Sequence, residues 1–139
     1  MSQALLAGLS RTTDPRRSLR RFLALDAVVT GLNGAAYLAA PGPLGRLLGI
    51  DGTPLAALGA FLVAVAAGIG LLASRPEPPA TAVRLVIDVN AAWAVLSIAA
   101  AVFWLEPTTA GALWTPAQAV TVGCFAALQW SALRATATA

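Results

Sequence analysis

Hydrophobic positions in this chain gather into four long runs, at about residues 22–40, 54–74, 82–105 and 116–133. Each is close to the ~20 apolar residues that carry an α-helix across the hydrocarbon core of a bilayer. The few polar residues inside the runs recur at helical spacing and not in the alternation of a strand. Asp26, Thr30, Asn33 and Tyr37 fall at i, i+4, i+7 and i+11, which makes one polar stripe down one side of a helix. The pattern predicts an all-α protein, a bundle of four transmembrane helices over residues 18–134. A basic segment, 1–17, precedes the bundle and reads as flexible; a short tail, 135–139, follows it.

Punctuation between the runs sets their expected ends. Thr53-Pro54 and Thr115-Pro116 each read as an N-cap followed by proline at the first helical position, where a missing N–H costs nothing. Pro41 and Pro107 close the first and third runs, and the three prolines between Arg75 and Pro79 make a stiff polar turn. Residues 43–49 have the composition of a short interfacial turn of helix, with Leu44, Leu47 and Leu48 dipping into the headgroups. An offset of 62 residues superposes Asp26 on Asp88 and Thr53-Pro54 on Thr115-Pro116. That offset hints at a duplicated hairpin.

Composition narrows the solvent. Of the 139 residues 58% are hydrophobic and 11% charged, with a mean hydropathy of +0.77. A soluble domain carries about 25% charged residues to keep its surface wet, so a chain this poor in charge needs the bilayer. There is no histidine, which removes the commonest metal and haem ligand and the usual general base. There is no lysine, hence no Schiff base to retinal or pyridoxal phosphate. Cys124 is the single cysteine and has no partner for a disulfide or a dithiol couple. No cofactor, metal or nucleic-acid partner is expected.

Charge gives a direction. Arg11, Arg16, Arg17, Arg20 and Arg21 precede the first run, Arg75 and Arg84 flank the second loop, and Arg134 follows the fourth run. A four-span path puts these on one side and Arg46 alone on the other. Positively charged flanks stay inside, so both termini are expected in the cytoplasm of a bacterial cell. Tyr37, Trp104 and Trp114 then belong near the outer interface and Trp130 near the inner one. A secretory or twin-arginine signal would need a soluble domain to export, and three further spans follow instead.

The stripe on the first helix is the leading candidate site, and two readings of it stand. In one, Asp26 titrates in a wet groove that handles a proton or a solute. In the other, Asp26 pairs with an arginine at the cytoplasmic rim and Asn33 bonds a neighbouring helix as packing glue. On the third helix Asn90, Trp93 and Ser97 share a face, while Asp88 lies elsewhere and follows Arg84 at the spacing of an i, i+4 ion pair. On the fourth, Gln118, Phe125 and Gln129 share a face, and with Asn33 and Asn90 they have reason to turn inward, away from lipid. Cys124 reads as a small packing residue. Ala60, Ala64 and Gly68, and Gly31 with Ala35, are spaced for close helix approach, within the bundle or across a homodimer or a partner membrane protein.

The chain resembles a family of small actinobacterial four-helix integral membrane proteins that have no assigned activity. The resemblance rests on Leu25-Asp26, Thr30-Gly31 and Asn33-Gly34, on Gly59-Ala60-Phe61-Leu62, on Asn90 with Trp93 and Ser97, and on Leu128-Gln129 with Leu133-Arg134. It spans roughly residues 18–134 and implies a fold and a location, not a substrate. The first expectation for function is a structural, accessory or partner-binding membrane protein in contact with lipid. The alternative is a small transporter or channel-like protein, with Asp26 as the titrating group and Asn33, Asn90 and Gln118 along the path. Small multidrug-resistance proteins share that architecture, although their acidic residue lies nearer mid-membrane. A membrane oxidoreductase similar to the DoxX-like four-helix proteins is disfavoured by the missing histidine and cysteine pair.

Overall fold

The structure, a computed structural model, describes residues 14–103 and 106–138. Every described element is a helix: α1 (Pro15–Ala39), α2 (Pro41–Leu48), α3 (Gly52–Ser74), α4 (Ala80–Phe103) and α5 (Thr109–Thr138). α1, α3, α4 and α5 are each long and apolar enough to cross a membrane. Residues 1–13 of the basic N-terminal segment lie outside the described residues, as do Trp104 and Leu105 at the end of the third run.

Helix ends differ from the sequence expectation where capping chemistry outweighs hydropathy. α1 starts at Pro15, not near residue 22, because Asp14 accepts the Arg16 amide at 3.1 Å and proline takes the first position. Arg16 and Arg17 are therefore helical. α3 is preceded by Asp51 and places Pro54 in its first turn. α5 starts at Thr109, where the Thr108 side chain accepts the Gly111 amide at 3.1 Å. Thr115-Pro116 is thus not a helix start but lies inside α5, where the proline leaves the Ala112 carbonyl without its helical donor. The tail 135–138 continues α5. The expected interfacial turn is a two-turn helix, α2, closed by Gly49 at φ 76°.

The positions superposed by the 62-residue offset have different surroundings. Asp26 is fully buried and Asp88 exposed, and of the two Thr-Pro pairs one begins a helix and the other interrupts one.

Two apolar clusters set the bundle's ends. Leu19 and Leu23 of α1 pack with Ile69, Leu72 and Ala73 of α3, Val83 of α4, and Ala132 and Leu133 of α5. At the other end Tyr37, Leu48, Leu55 and Leu62 pack beneath α2. Arg20 Nε donates to the Ala73 carbonyl at 3.1 Å and Arg16 pairs with Glu77 at 2.9 Å. These contacts bring the start of α1 against the α3–α4 turn. The Arg16–Glu77 pair is exposed and contributes little by itself. Arg84 and Asp88 form no ion pair, contrary to their spacing.

α1 and α3 meet backbone to backbone. A Cβ at Gly34 would lie 2.8 Å from the Gly59 carbonyl oxygen and 2.8 Å from the Val63 nitrogen, and a Cβ at Gly59 would lie 2.8 Å from the Gly34 oxygen. Helices that lack a hydrophobic drive in lipid associate through such close approach. The expected small-residue run Ala60, Ala64 and Gly68 instead faces outward, one position round from the glycine used. Cys124 also points outward and packs nothing inside. α4 packs along α5, α5 reaches α1, and α3 and α4 scarcely touch.

Gly34→Ala should therefore force α1 and α3 apart and lower stability in detergent by about 1–3 kcal/mol. Gly68→Ala, whose Cβ would meet nothing within 4 Å, should be neutral or gain up to about 1 kcal/mol. Unfolding of the two variants side by side checks this; equal losses would place the contact elsewhere.

Candidate functional site

Asp26 has no solvent exposure and no arginine within ion-pair distance among the described residues. Neither Arg21 nor Arg84 pairs with it, which corrects the rim ion-pair expectation. Helix α1 begins early enough that Asp26 lies eleven residues beyond Pro15, inside the bundle. Its Oδ2 accepts from Asn90 Nδ2 at 2.7 Å and from Gln129 Nε2 at 2.7 Å, and its Oδ1 accepts from Thr30 Oγ1 at 3.0 Å. Asn90 Nδ2 also donates to Gln129 Oε1 at 3.3 Å. One carboxylate thus ties α1 to α4 and α5.

A carboxylate only accepts, so it fixes which way its amide neighbours turn. Asn90 must present its NH2 to Asp26 and Gln129, and its own Oδ1 has no partner among the described residues. Every fully enclosed side-chain nitrogen and oxygen among the described residues has a partner, so Asn90 Oδ1 is not sealed off.

A second polar cluster lies at the α2 end. Tyr37 Oη accepts from Trp114 Nε1 at 2.8 Å and from Gln118 Nε2 at 2.9 Å. Tyr37 is buried and joins α1 to α5. Trp114, 40% exposed, takes part in this cluster through its indole N–H.

Between the clusters lies a cavity of about 170 Å³. Thr30 and Asn33 line it from α1, Asn90 from α4, and Gln118 and Thr121 from α5. Its apolar walls are Phe61, Trp93, Trp114 and Phe125, with Phe61 and Trp93 stacked at 6.2 Å between ring centres. No charged side chain is among the lining residues. Asn33 makes no hydrogen bond among the described residues, so its whole amide is unspent. The stripe on α1 therefore divides by role: Asp26 and Tyr37 anchor the two clusters, and Thr30 and Asn33 face the space between them.

Of the sequence candidates, Asp26, Thr30, Asn90 and Gln129 come together at one level and Tyr37 and Gln118 at another. Asn33 bridges the two levels along the cavity wall. Ser97 does not join them; it is half-buried on a separate groove near Tyr37. Phe61 and Thr121 were not singled out as site residues, since a phenylalanine or threonine in an apolar helix gives no chemical signal. Phe61 appeared only within the Gly59-Ala60-Phe61-Leu62 pattern. No family model, no curated protein and no solved structure matches the chain, and the site rests on its own geometry.

Asp26→Leu strands the Asn90 and Gln129 amides and should cost about 2–4 kcal/mol of stability, since each buried unsatisfied donor costs about 1–3 kcal/mol. Asp26→Asn keeps an acceptor for both and should cost under about 1 kcal/mol, in line with interhelical hydrogen bonds in membranes. Thermal or steric-trap unfolding in micelles measures both, and an Asn variant as unstable as the Leu variant would deny the acceptor role.

Proposed function

We propose that the chain is a small multi-pass protein of the bacterial cytoplasmic membrane that binds a small molecule inside its bundle. In this reading it crosses the membrane four times with both ends on the cytoplasmic side. The arginines support that orientation: Arg16, Arg17, Arg20, Arg21, Arg75, Arg84 and Arg134 are at the end built on Leu19 and Leu23, and Arg46 is at the other. Trp130, 44% exposed and 5.9 Å beneath the Arg134 guanidinium, suits an inner-interface anchor.

The cavity carries the binding role. A space of about 170 Å³ among four packed helices forgoes contacts that close packing would supply. A bundle with only a scaffolding task would close it with one larger side chain at Thr121 or Ala117. Here it is kept open and furnished with an unspent amide at Asn33. The two outcomes expected from sequence thus move apart. The reading proposed differs from a path centred on Asp26, whose carboxylate is absent from the cavity lining and bonded to Thr30 and Asn90. Asp26 instead acts as a positioning residue that sets Asn90. The accessory reading keeps one observation in its favour, the outward Ala60, Ala64 and Gly68 face, which suits a second copy or a partner membrane protein.

The protein should retain a small molecule when taken from its native membrane in mild detergent, and Thr121→Trp, which fills the cavity, should not. Mass spectrometry of solvent extracts compares the two; identical extracts would contradict the binding role. Orientation is read separately in a Cys124→Ser background. An impermeant maleimide added to intact spheroplasts should label Glu106→Cys and spare Thr138→Cys, and the reverse pattern would overturn the orientation.

A further inference from the structure

We infer that the cavity's ligand is an uncharged, lipid-soluble molecule of about one ring with a hydrogen-bond donor, and that it arrives from the bilayer between α3 and α4, past Phe61. The inference rests on the binding role proposed above and specifies what is bound and how it gets there.

Size comes first. A cavity of ~150 Å³ holds a benzene molecule, and this one is about 170 Å³. Its walls are flat rings, which favour a planar guest through offset or edge-to-face contact. Charge is excluded by the lining: with no charged side chain to meet it, an ion would be buried unpaired at a cost no small guest recovers.

Donor character follows from Asp26. The carboxylate turns the Asn90 NH2 toward itself and Gln129, leaving Asn90 Oδ1 as the group without a partner. Gln118 donates one N–H to Tyr37 and keeps its carbonyl and its second N–H. Asn33 supplies a further carbonyl. A guest with an O–H or N–H meets an acceptor at each of these three positions, while a guest with only acceptors meets donors at two, Asn33 and Gln118.

The route follows from which wall is weakest. A groove of about 530 Å³ runs between α3 and α4 from Arg75 and Pro79 at the turn toward mid-helix. It shares Phe61, Val65 and Val89 with the cavity, so those three side chains border both spaces. Phe61 is half exposed and is held by its stack on Trp93, an interaction of about 0.5–1.5 kcal/mol. A second groove of about 300 Å³ adjoins the cavity at the α2 end through Trp93, Trp114 and Gln118. That wall is tied by two hydrogen bonds to Tyr37. Swinging one phenyl ring costs less than breaking both bonds, and the core contact between α3 and α4 lies toward the turn, around Ile69, Leu72 and Val83.

The test uses the full chain in lipid nanodiscs, with phenol, benzene, benzoate and acetamide as probes and tryptophan fluorescence as readout, Trp93 and Trp114 being in the wall. Phenol should bind saturably, benzene about 5-fold more weakly for want of one net hydrogen bond, and benzoate and acetamide not at all. Asn33→Leu should reduce the preference of phenol over benzene, the Asn90 and Gln118 carbonyls remaining as acceptors. Phe61→Ala should raise the association and dissociation rates of phenol together. Saturable benzoate or acetamide binding that Asn33→Leu abolishes would overturn the ligand class while leaving the cavity reading intact. A phenol signal that does not saturate is partition into lipid and overturns the inference, a phenol preference unchanged in Asn33→Leu overturns the acceptor role of Asn33 and with it the ligand class, and unchanged rates in Phe61→Ala overturn the route. If no probe binds saturably the ligand class fails, and only identical native-membrane extracts remove the cavity reading with it.

Discussion

A carboxylate held away from water among apolar helices must find donors, and Asp26 imposes that condition on everything around it. On insertion scales an aspartate at the centre of a spanning helix costs about 2.5–3.5 kcal/mol. Three hydrogen bonds from Thr30, Asn90 and Gln129 offset that cost, and charge-assisted bonds are roughly twice as strong as neutral ones. Two of the three donors come from other helices. The rotation and depth of α4 and α5 relative to α1 are thereby fixed, because turning any one of them would leave an amide or a carboxylate buried alone. The same constraint orients Asn90, whose remaining oxygen becomes a feature of the cavity beside it.

The bundle is held by two unlike kinds of contact. α1 and α3 are joined by shape, with Gly34 and Gly59 permitting backbone contact that any side chain would prevent. α1, α4 and α5 are joined by polar pins at two levels, around Asp26 and around Tyr37. Neither kind bridges α3 to α4, which leaves a seam in the ring of helices on the side where the apolar groove opens. Local opening draws on the least-connected parts of a fold, and that seam is where a guest from the lipid would meet least resistance.

Much of the fold was legible in the chain, because four apolar runs and a 3.6-residue period leave few alternatives. Helix ends were less so. Hydropathy marked where the apolar runs stop, whereas Asp14 and Thr108 set where the helices start, and Arg16 to Arg21 and Ala135 to Thr138 are helical though polar or small. That difference concealed the site. With the expected ends, Asp26 sat at the rim and Asn90 well inside. With the observed ends, Asp26 is eleven residues beyond Pro15, Asn90 ten beyond Ala80 and Gln129 nine before Thr138, all at one depth. The polar stripe was visible; its partners depended on that count. The Gly34–Gly59 contact was hidden for another reason, since glycine and alanine are so common here that spacing alone favours no pair.

A double-mutant cycle between Asp26 and Gln129, from Asp26→Ala, Gln129→Ala and the double variant unfolded in micelles, measures the pin most directly. A favourable coupling of about 1–2 kcal/mol is expected, at the upper end for interhelical hydrogen bonds in membranes because the acceptor is a carboxylate. Losses that add to within about 0.5 kcal/mol, as they do for independent sites, would contradict the placement of Asp26 at the centre of the bundle's polar bonding.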